Sequence, residues 1–191
     1  MDYIVMDLEW NQNPYGKTNH HSDIPFEIIE IGAVRVTEDR QILDSYQQVI
    51  RPTVYKKLHY KIQEITHFTN EELSHGMNFK RAIAEFLEWC GDDYMFCTWG
   101  SMDLTELQKN MRHYRLERIL DFPLIYVDLQ KMFSLRYDDG HMKRTLMSAV
   151  EYLEIPEDGE FHRALSDAYY TAKVMQVMDF EKYKGRLSVD T

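Results

Sequence analysis

The spacing of apolar positions changes along this chain, and the changes divide it into elements. Residues 3–9, Tyr-Ile-Val-Met-Asp-Leu-Glu, form an apolar run of strand length. Residues 10–25 hold Pro14, Gly16, His20, His21 and Pro25 and predict a polar loop. Residues 27–36 are rich in Ile and Val, and residues 41–50 alternate apolar and polar positions. With the polar residues 37–40 between them, these two runs predict a hairpin. Residues 53–76 predict only short helical pieces, over 57–64 and 70–73. Phe79, Ile83, Phe86 and Leu87 then recur at helical spacing, so 79–89 predicts a helix. Residues 94–98 predict a central strand, broken by Gly100 and Ser101, which cap a helix over about 102–114. A strand over 124–127 and helices over 143–153 and 164–180 follow. The order βββ-α-β-α-β-α-α predicts an antiparallel meander extended by parallel strands through helical crossovers.

Composition adds mild bounds. With 191 residues, 44% of them hydrophobic, one core is the simplest expectation: a single domain over 1–191, core about 2–182, and a short tail at 184–191. No apolar run approaches the length of a membrane span. The start, Met1-Asp2-Tyr3, lacks the basic and apolar regions of a signal peptide. Cys90 and Cys97 are too few for a disulfide framework and are not spaced as a zinc site. Together these features predict a soluble protein of a reducing cytoplasm.

The formal charge of −10 argues against a broad electrostatic grip on DNA or RNA. It leaves a nucleic-acid enzyme open, because carboxylates gathered around divalent cations lower the count without leaving a negative site once metal is bound. Local basic groups occur at Lys56, Lys57 and Lys61, at Arg112, Arg115 and Arg118, and at Lys143 and Arg144. Each reads most simply as a solvated face, and one bordering a cleft would suffice to hold a short strand.

The most informative acids are Asp7 and Glu9. Positions i and i+2 of a strand share a face, so both carboxylates emerge side by side from a buried run. That is costly without a cation between them and makes the pair a candidate metal site. Asp103 opens a helix directly after the 94–98 strand, where sites of open α/β sheets gather. Taken alone it is more simply a first-turn acid favoured by the helix dipole. His162 is predicted in a loop just before the last helix, after Pro156, Asp158 and Gly159, with Asp167 about one turn inside. Singly, these two read as a capping histidine and an exposed helical acid.

Taken together, the order Asp-x-Glu, Asp after the next parallel strand, then His-x-x-x-x-Asp at a helix start resembles the DEDDh 3′→5′ exonuclease family. Glu27-Ile28-Ile29-Glu30-Ile31-Gly32-Ala33-Val34 is similar to that family's second strand. Gln48-Val49-Ile50-Arg51-Pro52 is similar to the end of its third, and His162-Arg163-Ala164-Leu165-Ser166-Asp167-Ala168 is the most specific match. The flavour is nearest the Eri-like and KapD-like exoribonuclease branch. The resemblance implies an α/β, ribonuclease H-like fold: a mixed five-stranded sheet, antiparallel over three strands and then parallel, flanked by helices. It implies two divalent ions, Mg²⁺ or Mn²⁺, held by Asp7, Glu9, Asp103 and Asp167. Asp7 would bridge both, Glu9 and Asp167 would serve the nucleophile side, and Asp103 would act on the other ion largely through water. His162 would be the general base, a role suited to an imidazole near neutral pH.

The implied partner is the 3′ end of single-stranded RNA or DNA, RNA slightly preferred, and the implied product is a nucleoside 5′-monophosphate. Leu8 and Trp10 are the substrate-side candidates. Many relatives carry a small residue after the Asp-x-Glu pair; here Trp10 either stacks on a terminal base or packs into the core rim. The 11–25 loop is either a substrate lid or a surface segment. Two other readings stay open: a non-catalytic scaffold of the same fold, and a polymerase-associated proofreading exonuclease. All five catalytic residue types are present, which weighs against the scaffold. A proofreading subunit is expected to need an attachment tail, and only residues 184–191 follow the last predicted helix.

Overall fold

Strand β1 (Asp2–Gln12) is buried on both faces from Tyr3 to Met6 and takes the middle of the sheet. In this computed structural model, which describes residues 1–14, 24–120, 124–157 and 161–178, strand β2 (Phe26–Val36) pairs antiparallel with β1. Strand β3 (Ile42–Val49) pairs antiparallel with β2. On the other side β4 (Tyr94–Thr98) runs parallel to β1, and β5 (Tyr126–Asp128) parallel to β4. The order β3-β2-β1-β4-β5 is the mixed five-stranded sheet the sequence predicts. The predicted features at His20, His21, Asp158, Gly159 and 184–191 lie outside the described residues.

The two-residue period of β1 assigns its side chains to two layers. Ile4, Met6 and Leu8 face a core with Ile83 and Phe86 of α3 (Phe79–Cys90) and Leu104, Leu107 and Met111 of α4 (Met102–His113). Tyr3 and Val5 face the opposite core, with Met132 and Phe133 of α5 (Leu129–Tyr137), Val150 of α6 (Leu146–Tyr152) and Val174 of α7 (Ala164–Val177). Asp7 and Glu9 continue the second row, so they point toward the layer that holds α7. On β2 the partners of that row are Val36, Val34, Gly32 and Glu30. A Cβ on Gly32 would lie 2.0 Å from the Leu165 nitrogen and 2.1 Å from the Ala164 carbonyl carbon. The bare glycine therefore lets the first turn of α7 rest directly on the sheet beside Asp7.

The segment between β3 and α3 carries α1 (Tyr60–Thr66) and α2 (Asn70–Ser74). It is tied down by a small apolar cluster of Ile29, Leu58, Phe68 and Leu73 and by buried polar groups. The Glu27 carboxylate accepts the backbone N–H groups of Thr53, Val54 and Tyr55 at 2.6–3.1 Å. Asn11 donates to the carbonyls of Tyr55 and Lys57 and accepts from the His59 N–H.

Several elements differ from the sequence prediction. β1 runs on to Gln12, so Trp10, Asn11 and Gln12 are strand rather than loop; Asn11 is fully buried because its amide is satisfied by the 55–59 segment. Helix α1 starts at Tyr60 and α6 at Leu146, each three residues late, behind His59 and Thr145 as side-chain caps. Ser101 occupies the cap position of α4 but makes no side-chain cap bond; the break comes from Gly100 at φ 95°. Helix α5 is not among the predicted elements. Its buried Leu129, Met132 and Phe133 have helical spacing, but Leu135 is exposed and blurs the stripe.

Gly32→Ala is expected to cost about 2–3 kcal/mol or more, the range for forcing atoms into a packed core, because the obstruction is backbone. Gly91→Ala, with open space around the added carbon but a backbone (φ 76°, ψ −156°) that is essentially glycine's own, should cost about 1–3 kcal/mol through strain at its own turn. Urea denaturation reads both losses, and amide exchange over 164–168 should quicken in Gly32→Ala and stay unchanged in Gly91→Ala. Unchanged exchange there in Gly32→Ala would mean that the close seating on Gly32 is not what holds α7.

Candidate active site

The site forms where β1 passes the last residue buried in both layers. Asp7 and Glu9 project on the α7 side, and Asp167 comes from the first turn of α7. Each offers a carboxylate oxygen, and the three oxygens lie within 4.8 Å of one another. Asp103 arrives from the other layer on α4 and is outside that three-acid set among the described residues. It is 5% exposed, and its Oδ1 accepts the N–H of Leu8, the residue between Asp7 and Glu9, at 3.1 Å. The main chain of β1 thus fixes Asp103 beside the acids whose side chains it carries.

His162 adopts a left-handed conformation (φ 68°) just ahead of the helix. Its N–H donates to both oxygens of Asp167 at 3.3 Å, while its side chain is exposed. The structure therefore brings all five predicted residues to one end of β1, with His162 at the rim. Leu8 is buried in the α3–α4 core and its amide is used by Asp103. Trp10 is half-buried, 5.7 Å from Phe26 between ring centroids, just past a register shift between Glu9 and Trp10. Of the basic groups, Arg144 is committed to Asp138, while its carbonyl accepts from Trp99 and Gln130, so it braces the fold.

Electrostatics single this cluster out. Burial, followed by the charges of Asp103, Glu9, Asp167 and Glu30, holds the Asp7 carboxyl well above its ordinary range. Burial pushes Glu9 up to about 9, with Asp167, Glu30 and Asp103 adding to it. Asp103 rises to about 7 by burial despite the Leu8 hydrogen bond, and Asp167 to about 6 by burial despite His162. At effective dielectric constants near 20, like charges this close repel by roughly 3–4 kcal/mol per pair. A hydrogen bond to a charged group contributes about 1.5–3 kcal/mol, too little to offset several such pairs. Protons or cations must complete the site. Clustered hard oxygen donors fit divalent ions such as Mg²⁺ or Mn²⁺.

Glu30, Gly32 and Arg163 have no role predicted from the sequence. Glu30 is fully buried opposite Glu9 and bonded by Arg163 and Ala164, and Gly32 admits the helix opposite Asp7. The available signal is parity: in β2, an acid and a glycine interrupt an apolar run at two positions of the same face.

A family model described as exonuclease, of the RNase T type, matches residues 4–175, and the chain belongs to this exonuclease family. It is 26% identical over 189 residues to a PolC-type DNA polymerase III of Clostridium perfringens, a match covering 98% of this chain and 12% of that protein. It is 27% identical over 173 residues to a DNA polymerase III subunit epsilon of Aquifex aeolicus, covering 90% and 77%. The fold is that of the nuclease domain of 3′hExo, a DEDDh family member solved with rAMP bound: TM-score 0.84, 21% identity, 100% of this chain and 97% of that one. The sheet is thus ribonuclease H-like, as expected. The chain spans only a small part of the PolC-type polymerases it matches. Among the described residues, no helix is long and apolar enough to cross a membrane.

The raised carboxylates set the sign of a pH effect. Between about pH 4, where Asp and Glu ionise in an unfolded chain, and folded values of about 6, 7 and 9 for Asp167, Asp103 and Glu9, the folded state binds more protons. These groups therefore make metal-free protein less stable as pH rises through that window. Divalent ions bind the ionised forms, so the rise in Tm on adding Mg²⁺ or Mn²⁺ should grow from about pH 5 to about pH 8. Asp7→Asn should raise the Tm in EDTA at the higher pH and abolish most of the metal-induced rise. A metal effect of equal size in Asp7→Asn, read by scanning calorimetry, would place the ions elsewhere.

Proposed function

We propose that this chain is a metal-dependent 3′→5′ exonuclease that releases nucleoside 5′-monophosphates from single-stranded nucleic acid. RNA is slightly favoured over DNA, residues 1–191 act as one exonuclease domain, and the enzyme works in the cytoplasm within the Eri-like and KapD-like branch. The carrying observation is the convergence of Asp7, Glu9 and Asp167 within 4.8 Å, with Asp103 tied to the peptide between the first two. The RNA preference rests on the fold shared with the 3′hExo nuclease domain bound to rAMP.

Two divalent ions bound here would supply positive charge against the charge developing at phosphorus and make an attacking water more acidic. Asp7, Glu9 and Asp167 would hold them most directly, and Asp103 would serve from the opposite layer. His162 takes the proton of the attacking water on its imidazole and passes it to solvent from the exposed rim. Leu8 serves through its amide, which holds Asp103 in place. Trp10, beside Phe26, offers a face on which the terminal base stacks.

A second reading, a nuclease working with a DNA polymerase, is favoured by the PolC-type and epsilon relatives. A non-catalytic scaffold has no such support, since all five residues of the site are in place.

The test is digestion of 5′-labelled RNA and DNA oligomers with Mg²⁺, Mn²⁺ or EDTA. The parent should give a ladder shortening from the 3′ end, and Asp7→Ala should be inactive. His162→Asn should lower kcat by about 10²–10⁴-fold. Asn tolerates the left-handed backbone, so that variant should keep its melting temperature and its response to metal. Cleavage surviving EDTA, or equal cleavage by Asp7→Ala, would defeat the reading. Binding without cleavage would favour the scaffold, and cleavage confined to mispaired duplex DNA ends would favour the polymerase-associated enzyme.

A further inference from the structure

We propose that Glu30 and Arg163 form a positioning pair that caps helix α7 from the neighbouring strand and so sets Asp167 and His162 against Glu9. The inference deepens the exonuclease reading and rests on it. Neither residue is placed among the groups that hold metal or move protons.

Glu30 is 0% exposed, yet each of its oxygens has two donors. Oε1 accepts from Gln47 Nε2 and from an Arg163 terminal nitrogen, both at 2.8 Å. Oε2 accepts from Arg163 Nε at 3.2 Å and from the backbone N–H of Ala164 at 3.0 Å. The guanidinium grips the carboxylate as a fork, which a lysine cannot reproduce. It also lies 4.3 Å from the ring centroid of Phe68, fixing the plane of the fork.

Arg163 is the N-cap residue of α7, and its own side chain makes no cap bond. Glu30 caps the helix in its place, accepting the first helical N–H and setting negative charge at the positive end of the helix. Two features carry this into the site. Glu30 is the cross-strand partner of Glu9, so the anchor lies next to one acid of the cluster. The anchored turn ties Asp167 to both residues ahead of the helix, through the Asp167 N–H on the Arg163 carbonyl and the His162 N–H on the Asp167 carboxylate. With the fork gone, Gly32 still permits helix and sheet to touch and the apolar rows still hold the body of α7, but the turn that aims Asp167 loses its charged anchor.

The experiment compares parent, Glu30→Gln, Arg163→Lys and the double variant. Mn²⁺ affinity is read by titration calorimetry, kcat and KM on a single-stranded RNA oligomer, and amide exchange over 162–168 in metal-free protein. Each single variant should weaken Mn²⁺ binding and lower kcat by about 10–100-fold, the usual cost of losing a partner behind a metal ligand. KM should stay within about threefold, and exchange over the turn should quicken. The double variant should be no worse than the poorer single, because both remove one interaction. If Glu30→Gln loses cooperative melting, Arg163→Lys, which keeps the charge, carries the test. Mn²⁺ affinity and kcat within about twofold of parent in Arg163→Lys, or multiplying losses in the double variant, would overturn the inference. A parent that neither binds Mn²⁺ nor cleaves would instead defeat the exonuclease reading.

Discussion

Helix α7 meets the sheet at Gly32 with no side chain between them, and most of the site's geometry descends from that contact. Along the α7 face, the paired rows of β1 and β2 run Tyr3 with Val36, Val5 with Val34, Asp7 with Gly32, and Glu9 with Glu30. The first two rows are apolar and bury the body of the helix layer. The third is bare on one side, and the fourth is charged on both. A helix laid on this face is held by its length in the apolar rows. It can start only where the sheet gives it room, which places Asp167 beside Asp7 and the N-terminal amide of Ala164 on Glu30.

The same placement creates an electrostatic problem that the protein does not solve internally. Asp7, Glu9, Asp103 and Asp167 all have carboxyls held above their ordinary range, and burial leads in every case. The nearby guanidinium, Arg163, is engaged by Glu30. Hydrogen bonds from Leu8 and His162 ease the strain without removing it. A protein that tolerates such a cluster gives up stability in its metal-free form, a cost usually met where function requires it.

How much of this the sequence reveals depends on the range of the interaction. The Asp7–Glu9 pair, the hairpin of β2 with β3 and the helix start at 164 follow from local period and spacing, and they are readable. The convergence with Asp103 and Asp167 is readable only through family resemblance, because residues 95 positions apart carry no local sign of contact. Glu30 stands in plain view within an apolar strand, but its partner Arg163 is 133 positions away. Asn11 reads as a loop residue for the same reason, since the carbonyls that satisfy it belong to 55 and 57. Helix α5 escapes the apolar pattern because an exposed Leu135 spoils its stripe, although the Asp128 cap on Lys131 is a local signal of its start.

The layers also determine which distances in the site can change. Asp7 and Glu9 share one strand at the centre of the sheet, so their spacing is fixed by strand geometry. Asp103 and Asp167 ride on helices packed against opposite faces, and no described hydrogen bond joins α4 to α7. Their separation therefore depends on how each helix is pinned to the sheet. Asp103 is pinned by its bond to Leu8 and, two turns on, by Asn110, whose amide accepts from the Ile28 N–H and donates to the Phe26 carbonyl. Asp167 is pinned by Gly32 and the Glu30 fork. Each helix is thus anchored through polar contacts to the strand end that carries the acids, and a loosened anchor shifts one carboxylate while the β1 pair stays in place. Pre-organisation of this kind matters because misplacing a catalytic group by about 1 Å can cost on the order of 10²-fold in rate.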